Sequence, residues 1–446
     1  MMKRREFLEA GIVTGAGLLL SRGARAESQT RPASDALHVA VIGLGDQGRT
    51  LIQAAVDIPG IRFRAICDIW EYRRQPVRKY LEGYKHPVRD YGDFRHMLDE
   101  EKGLHAVIVA TPDFIHADQV NACLRAGLHV YCEPMMATSL DAARSMVRTA
   151  RETGKLLQIG YQRRSSPRYR HVQRDLLGTA ALPGQITHVH AQAAHRVTED
   201  AGWPKKHTLA DEVLRQHGYD SMRELRNWRW FRKYGGGPFA AYASHQIDVV
   251  NWFLDAVPVS VVATGGIDYY KNRQWCDNVT AVLEYPSASG TVRACFVVLT
   301  TTSAGGGHYE HFMGTEGSIQ VAENPKWTRL FHEVYAPDWG RWVELGLITK
   351  TSPPVAEGAG PASAPVDPSD ARSRETGQIA TYGLPTSLQE SPWLPHLRNF
   401  FEAIRGREPL NCPADAAFGS EVLVRKVYDA VEARRTIDLK PDDFAV

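Results

Sequence analysis

The sequence predicts an α/β protein whose first part is a doubly wound parallel sheet and whose second part is an α+β domain with a largely antiparallel, open-faced sheet. Short apolar runs alternate with amphipathic helices from residue 37 to residue 160, which is typical of a parallel sheet covered by helices. A glycine-rich turn follows the first of these runs. After residue 160, apolar and polar residues alternate, as in antiparallel strands with one solvated face.

The first part contains five predicted strands and several predicted helices. The strands are 38–42, 63–67, 106–110, 129–132 and 156–159. One helix is predicted over 117–126 and closed by Gly127. A second is predicted over 140–153, with Ser139 as its N-cap and Gly154 as its C-cap, because these residue types satisfy the free backbone groups at helix ends.

The second part is predicted to be mostly strands, followed by two closing helices. The strands are 186–193, 259–265, 279–285, 291–299 and 318–322, and the helices are 394–405 and 416–433. Residues 351–371 are rich in Pro, Ala and Gly, which predicts a flexible surface insertion. We therefore expect a first domain over 37–159 and a second over 160–446.

The N-terminus has the pattern of a twin-arginine export signal. Lys-Arg-Arg at 3–5 precedes an apolar run at 11–20 and an Ala-Arg-Ala site at 24–26, typical of a signal that is removed after export. The apolar run is too short to span a bilayer comfortably. We expect residues 1–26 to direct the folded protein to the periplasm or outside the cell, with no stable membrane insertion afterwards.

Composition excludes some partners. Residues 1–26 hold five of the 53 Lys and Arg and two of the 51 Asp and Glu, so the rest of the chain has a net charge of −1. A nucleic-acid partner is therefore not expected.

The cysteines and histidines do not indicate redox or metal chemistry. The six cysteines show no C-x-x-C spacing, and Cys67 and Cys132 are predicted to be small buried hydrophobic residues. His188, His190 and His195 have no acidic partner at close spacing, so no metal site is predicted.

The turn after the first strand carries the strongest local motif. Gly43, Gly45 and Gly48 form G-x-G-x-x-G, with Asp46 and Gln47 between the last two glycines. After a strand and before a helix, this motif is the Rossmann dinucleotide fingerprint, in which backbone N–H groups approach a pyrophosphate at a helix N-terminus.

The end of the second strand indicates which dinucleotide binds. Asp68 stands at this position, where an acid accepts hydrogen bonds from the ribose hydroxyls and repels a 2′-phosphate. NAD is therefore favoured. Arg73 and Arg74 nearby leave NADP as the less favoured cofactor.

Further motifs carry a resemblance to a known family. They are Ala-Thr-Pro-Asp-Phe-Ile-His at 110–116, His-Val-Tyr-Cys-Glu-Pro at 129–134, Gly-Tyr-Gln-Arg-Arg at 160–164, Trp-Arg-Trp-Phe at 228–231, Gly-Gly-Gly at 235–237, Ser-His-Gln-Ile-Asp at 244–248 and His-Leu-Arg-Asn-Phe at 396–400. Across about residues 37–435 the chain resembles the glucose-fructose oxidoreductase / inositol dehydrogenase (Gfo/Idh/MocA) family.

The resemblance implies a two-domain NAD(P)-dependent enzyme that acts on a sugar, polyol or related carbohydrate. The substrate would lie between the nicotinamide and the open face of the second sheet, and a homo-oligomer is expected. On this basis Thr111, Pro112, His116 and Glu133 are expected on the cofactor. For Glu133 two alternatives have equal weight, namely that it positions the substrate or that it caps a backbone turn.

Two departures from the family pattern affect the chemistry. The family usually reads Glu-Lys-Pro after the fifth strand, whereas Glu133 here is followed by Pro-Met-Met. The later motif usually carries Asp and Gly where this chain has Ala241 and Ala243, although His245 and Asp248 are kept. The lysine-centred proton relay of the family cannot be transferred.

Hydride removal from an alcohol leaves a proton that a base must accept. His245 is the predicted base, and Asp248, one helical turn away, is predicted to orient its imidazole. The competing interpretation is a structural His–Asp pair. Tyr242 and Tyr161 are the alternative acid/base candidates.

Three residues are predicted to contact substrate. Arg163 and Arg164 suit hydroxyl or carboxylate groups, with solvated surface charge as the alternative. Trp228 belongs to an aromatic cluster with Trp230, Phe231 and Tyr234, which suits either a sugar face or core packing.

The sequence as a whole predicts an exported NAD(P)-dependent oxidoreductase for a sugar, polyol or glycoside hydroxyl. Because no soluble nicotinamide pool is expected outside the cytoplasm, the cofactor should stay tightly bound. The alternative is a redox-neutral NAD-dependent glycoside hydrolase or lyase working through a transient keto-sugar. A non-catalytic carbohydrate-binding homologue is a third possibility, against which the retained His245 and Asp248 argue.

Overall fold

The computed structural model describes residues 36–304, 307–333, 335–351, 380–385 and 391–446. The predicted export signal at 1–26 lies outside these residues. So does the predicted insertion at 351–371, except for Thr351. Both stay predictions.

Within the described residues, six parallel strands form the first sheet, in the order β3-β2-β1-β4-β5-β6. The strands are β1 (Leu37–Ile42), β2 (Ile61–Cys67), β3 (Arg89–Tyr91), β4 (Ala106–Val109), β5 (His129–Cys132) and β6 (Leu157–Ile159). This order is that of a Rossmann fold and confirms the doubly wound prediction. Only β3 was not predicted, because its sequence Arg-Asp-Tyr contains two charged residues and no apolar run.

Helices cover both faces of this sheet. They are α1 (Asp46–Ala55), α2 (Glu71–Gly83), α3 (Phe94–Glu100), α4 (His116–Arg125) and α5 (Leu140–Thr153). The predicted caps of α5 are confirmed, since the Ser139 hydroxyl accepts a hydrogen bond from the Ala142 N–H and Gly154 adopts φ +65°. A left-handed residue is what glycine allows at a helix C-cap.

The second sheet has ten strands within the described residues, in the order β14-β15-β13-β12-β11-β7-β10-β9-β8-β16. They are β7 (Ile186–Ala194), β8 (Ser260–Gly266), β9 (Asn278–Ser287), β10 (Gly290–Leu299), β11 (His308–Gly314), β12 (Gly317–Val321), β13 (Arg329–His332), β14 (Thr349–Lys350), β15 (Ala380–Gly383) and β16 (Ile437–Asp438). All neighbours pair antiparallel except β7 and β10, so the largely antiparallel prediction is confirmed.

The remaining helices follow the first sheet in the chain. They are α6 (Pro167–His171), which continues into a π-helical segment (Val172–Thr179), then α7 (Asp211–Gln216), α8 (Met222–Asn227), α9 (Gly237–Leu254), α10 (Gly340–Glu344), α11 (Leu394–Ile404) and α12 (Ala414–Ala433). Short 3-10 turns lie at Asp113–Ile115, Gln162–Ser165, Lys205–His207, Trp228–Trp230, Pro325–Trp327 and Pro441–Phe444.

The two C-terminal helices pack back onto the first sheet. Leu397 and Phe400 of α11 join the core that contains Val39 of β1. Phe418 of α12 packs in a core beneath the first sheet, whereas Val427, further along the same helix, packs in the core of the second sheet. Helix α12 therefore ties the two hydrophobic cores together.

A buried ion pair also joins the two parts. The Arg164 guanidinium donates to both carboxylate oxygens of Asp248 in α9, at 2.8 and 2.9 Å. The Asp248 side chain has no exposed surface. Bidentate geometry makes this one of the stronger kinds of ion pair, and it fixes the chain leaving β6 against the helix that covers the second sheet.

Asp248→Asn should therefore destabilise the fold, because Arg164 would be left as a buried charge without its carboxylate. Removing one partner of such a pair typically costs about 3–5 kcal/mol. Urea unfolding should show a markedly lower midpoint. Glu212→Gln, which breaks the exposed pair between Glu212 and Arg215, is the matched control and should leave the midpoint nearly unchanged. Equal midpoints for the two variants would contradict the structural importance of Asp248.

Candidate active site

A cleft of about 1800 Å³ lies between the two parts of the molecule. One wall is formed by the residues that follow β1, β2, β4 and β5, and the other by residues from the second part of the chain. The carboxyl ends of parallel strands are where ligands bind in open α/β sheets. The cleft is therefore the place to test the predicted site residues.

The glycine turn forms one end of the cleft. Gly43 has φ +92°, and a Cβ on Gly48 would stand 1.9 Å from the Gly43 carbonyl oxygen, so only glycine fits both positions. A Cβ on Gly45 would meet only the end of the flexible Arg73 side chain, at 3.0 Å. Asp46 and Gln47 also line the cleft. The turn thus presents a bare backbone at the N-terminus of α1, as a dinucleotide phosphate requires.

Asp68 lies beside this turn and lines the cleft. One carboxylate oxygen accepts a hydrogen bond from the Leu44 N–H at 2.9 Å, and the other accepts from the Trp70 N–H at 2.8 Å. A carboxylate has about four acceptor sites, so Asp68 keeps capacity for ribose hydroxyls while its position is fixed. The turn and the acid together fit a dinucleotide.

Gly45→Ala should weaken NAD binding without disturbing the fold. The added methyl meets only the Arg73 side chain within the protein, but it stands where the backbone must approach the phosphates. We expect an increase in Kd of about tenfold, which is about 1.4 kcal/mol, measured by calorimetry. Gly83→Ala, where nothing lies within 4 Å of the added Cβ, is the control and should bind NAD normally. Unchanged Kd in Gly45→Ala would contradict the placement of the cofactor.

The loop after β4 carries three residues that are predicted to contact the cofactor, and the structure does not place all three in the cleft. Thr111 and Pro112 line the cleft as predicted for cofactor contacts. His116 does not line it and is fully buried, with its two ring nitrogens 2.8 Å from the carbonyl oxygens of Met135 and Thr111. The predicted cofactor contact of His116 is therefore wrong. The imidazole instead joins the loops that leave β4 and β5.

Glu133 lies at the carboxyl end of β5, is partly exposed and lines the cleft. Burial raises the pKa of its carboxyl to about 7, although hydrogen bonds from Gln47 and Tyr131 oppose the shift. The cause is the cost of placing a carboxylate in a weakly solvated site. Glu133 can therefore bind or release a proton near neutral pH.

His245 in α9 is partly exposed and packs edge-on against Tyr161, with ring centroids 5.3 Å apart. Its Nδ1 atom is buried without a hydrogen-bond partner among the described residues. Burial lowers the pKa of the ring to about 3, so the imidazole is neutral under ordinary conditions. The predicted orientation of His245 by Asp248 is wrong, because Asp248 accepts hydrogen bonds from Arg164 and Ser420 and makes none with His245. His245 also does not line the cleft.

Two other predictions from the Gly-Tyr-Gln-Arg-Arg segment are corrected. Arg163 is buried, with its guanidinium 2.5 Å from Glu310 and 3.3 Å from Glu323. Arg163 and Arg164 do not line the cleft, so their predicted substrate contacts are wrong and they act as internal ion-pair partners. Tyr161 is fully buried and also absent from the cleft wall, and burial raises its pKa. It is not placed to act as an acid/base.

The matched sequence profiles settle the family. A profile described as "Oxidoreductase family, NAD-binding Rossmann fold" matches residues 37–161, and one described as "GFO/IDH/MocA C-terminal domain" matches residues 180–320. The chain belongs to the GFO/IDH/MocA oxidoreductase family. This confirms the predicted fold, the NAD cofactor and the enzyme class.

Individual relatives are distant. The chain is 25% identical over 290 residues to scyllo-inositol 2-dehydrogenase (NAD(+)) of Bacillus subtilis, covering 64% of this chain and 73% of the relative. It is 24% identical over 295 residues to 2,7-anhydro-N-acetylneuraminate hydratase of Mediterraneibacter gnavus, covering 63% and 66%.

Solved structures agree on the fold. The WlbA dehydrogenase of Bordetella pertussis, in complex with NADH and UDP-GlcNAcA, has a TM-score of 0.62 at 18% identity over 91% of this chain and 99% of that one. Aldose-aldose oxidoreductase of Caulobacter crescentus, complexed with glycerol, has a TM-score of 0.63 at 19% identity over 91% and 100%. At these identities the likeness shows the GFO/IDH/MocA fold alone.

The cleft also contains a group of aromatic and imidazole side chains. The ring of His195, just after β7, stacks on Tyr242 at 3.8 Å, and His308 meets His195 edge-on at 4.4 Å. All three residues line the cleft. Burial lowers the pKa of His195 to about 4 and raises that of Tyr242. The group is therefore neutral and supplies hydrogen bonds, not charge.

Little in the sequence indicated this group. Tyr242 was predicted as an acid/base candidate, and His195 was considered only as a metal ligand. His308 carries no local signal, because the pairing of β7 with β11 brings it to His195. Among the described residues, no cluster of three or more His, Cys, Asp or Glu side chains could hold a metal ion, and no helix is both long and apolar enough to cross a membrane.

The predicted aromatic cluster divides into two parts. Trp228 and Trp230 line the cleft, and Trp228 lies beneath the Arg229 guanidinium at 4.3 Å. Phe231 and Tyr234 are buried in a small separate core. Trp228 and Trp230 also pack against this core, so the packing interpretation holds for the whole cluster, and the sugar contact of Trp228 stays a prediction.

Proposed function

We propose that this enzyme oxidises a hydroxyl group of a sugar, polyol or glycoside with NAD that stays bound. The observation that carries the proposal is the shared cleft, in which Gly45 and Asp68 lie at one end and Glu133, Trp228 and Tyr242 lie along the same walls. The GFO/IDH/MocA membership supports the oxidoreductase class. The inositol dehydrogenase among the relatives supports a polyhydroxylated substrate.

Bound NAD would supply the hydride acceptor for the carbon that carries the hydroxyl. We propose that Glu133 accepts the hydroxyl proton, because its carboxyl has a pKa near 7 and general bases work best near the operating pH. His245, with a pKa near 3, is too weak a base for this step at neutral pH. His245 also does not line the cleft, so it is not given a contact with the reacting hydroxyl.

The rest of the cleft suits a carbohydrate. Indole rings pack against the C–H faces of sugars, and Trp228 and Trp230 supply two of them. Tyr242, His195 and His308 add uncharged hydrogen-bonding groups. A combination of aromatic faces and neutral polar groups fits hydroxyl-rich ligands.

A second candidate is the redox-neutral hydrolase or lyase, in which the hydride returns to the substrate after bond cleavage. The hydratase among the relatives favours keeping this alternative. Glu133 would then return its proton within the same cycle. Cleavage of a glycoside by purified enzyme with no added NAD and no hydride acceptor would establish this candidate over net oxidation.

Glu133→Gln tests the proton acceptor. In the unchanged enzyme, single-turnover reduction of bound NAD should rise as pH increases through about 7 and then level off, because the carboxylate is the active form. Glu133→Gln should lose about a hundredfold to ten-thousandfold in rate and lose this pH dependence. NADH absorbance gives the rate, and calorimetry checks that NAD still binds. If His245→Ala shows that loss while Glu133→Gln keeps the pH profile, His245 is the base.

We also propose export by the twin-arginine route and a homo-oligomeric state. Arg4 and Arg5 form the arginine pair of the signal. Changing both to Lys should leave the precursor in the cytoplasm, as measured by immunoblotting of cell fractions. Changing Lys3 to Arg is the control and should not affect export. Periplasmic accumulation of the double variant would contradict this route, and light scattering on the purified protein tests the oligomer.

A further inference from the structure

We propose that residues 196–235 form a cover that closes the adenosine side of the cleft and keeps NAD captive, and that Arg226 of this cover acts with Arg73 on the cofactor phosphates. The cover leaves the second sheet after β7 and returns to it at α9. Between these points it crosses to the Rossmann domain. This inference rests on NAD as the cofactor and not on the identity of the substrate.

The cover is anchored beside the strand ends that flank the glycine turn. After β2, the Trp70 indole N–H donates to the His207 carbonyl at 2.7 Å, and the Tyr72 and His207 rings lie 4.6 Å apart. After β4, the Phe114 N–H donates to the Tyr234 carbonyl at 3.2 Å. By the Rossmann rule, the adenosine ribose binds at the end of β2 and the phosphates at the turn after β1. The anchors therefore stand on both sides of the cofactor position.

Apolar packing holds the cover down. Leu214, Tyr219, Met222 and Tyr234 of the cover are buried in one cluster with Trp70 of the Rossmann domain. Phe114 adds edge-on ring contacts with Tyr219 and Tyr234 at 5.4 and 5.2 Å. Lifting the cover would expose these rings to water, so the closed state is favoured by the burial of apolar area.

The inner side of the cover forms part of the cleft wall. His217, Gly218, Leu225 and Arg226 line the same cleft as Asp68. Gly218 has φ +82°, and a Cβ there would stand 3.3 Å from the Phe114 ring. Glycine thus allows the cover to run close against the loop after β4. The cleft has walls from the cover on the side where a simple Rossmann edge would meet solvent.

Two arginines bring positive charge to this end of the cleft. Arg226 donates to the Gly202 carbonyl at 3.0 Å, and its guanidinium lies 5.8 Å from the Trp70 ring centroid. The Arg73 guanidinium lies 5.5 Å from the same ring centroid. It pairs only loosely with Asp68, since the nearest nitrogen–oxygen distance is 4.0 Å. Burial and the charge of Arg73 lower the pKa of Arg226. An anionic group between the two guanidinium groups would relieve this repulsion, and arginine suits phosphate oxygens.

A captive cofactor limits the catalytic cycle. If NADH cannot leave between turnovers, the hydride must pass from the cofactor to a second substrate, or return to the first product, within the cleft. Both candidate functions satisfy this requirement. A dehydrogenase that exchanges free NAD and NADH at each turnover does not.

The experiment measures cofactor release and needs no substrate. Purified enzyme is loaded with NADH and mixed with excess NAD, and the loss of bound-NADH fluorescence gives the release rate. Met222→Ala removes a buried contact of the cover without touching the cleft wall. We expect it to speed release by about tenfold or more with little change in Kd, because opening assists entry as well. Arg226→Gln should raise the Kd as well as the release rate.

Two further variants keep the test decisive. Trp70→Phe keeps an aromatic ring, although a smaller one, and removes the hydrogen bond to His207. It should speed release even if Met222→Ala fails to fold. Glu212→Gln changes an exposed cover residue and should release NADH at the original rate. Rapid release from the unchanged enzyme, equal to that of Trp70→Phe, would overturn the cover. Absence of NADH binding in calorimetry would instead contradict the cofactor itself.

Discussion

The buried pairing of Arg164 with Asp248 is the constraint on which the active-site geometry depends. It joins the segment that leaves the last strand of the Rossmann sheet to helix α9 over the second sheet. The same helix carries Tyr242 and His245, so the pair sets where these side chains stand relative to the cofactor turn. A buried ion pair contributes little net stability compared with apolar packing. The effect of the Arg164–Asp248 pair is instead to fix the position of one domain relative to the other.

Burial also decides the proton chemistry of the cleft. It raises the pKa of Glu133 toward neutrality and lowers those of His195, His245 and His308. A weakly solvated site disfavours the charged form of each group, so acids and bases shift in opposite directions. Near pH 7 the Glu133 carboxyl therefore titrates, as an imidazole ordinarily does, whereas the three imidazoles stay neutral. A chain that lacks the family lysine after Glu133 can handle a proton in this way.

The proposed cover and the contacts between the domains both hold the two domains together around the cleft. Helix α12 and the Arg164–Asp248 pair hold the two domains together from the outside, whereas the cover over residues 196–235 joins them across the mouth of the cleft. A cleft closed on several sides excludes water, which strengthens every electrostatic interaction within it. The proposed retention of the cofactor is consistent with this closure.

The Rossmann domain was largely determined by the sequence itself. Strands such as β1 and β4 are largely apolar runs, the limits of α5 are marked by Ser139 and Gly154, and the glycine turn has a fixed local geometry. Such features depend on neighbours in the chain, so the sequence alone specifies them. The prediction that Gly43, Gly45 and Asp68 bind the cofactor follows from the same local rules.

Only the tertiary structure decided the partners of the polar residues. Nothing local distinguishes an Asp248 that orients His245 from one that pairs with Arg164, because the choice depends on residues 84 positions apart in the chain. The grouping of His195 with His308 likewise depends on the pairing of β7 with β11, and the pKa of Glu133 depends on Gln47, which is distant in the chain and donates a hydrogen bond to it. Sequence periodicity fixes which face of an element is buried, but long-range packing determines what that face meets.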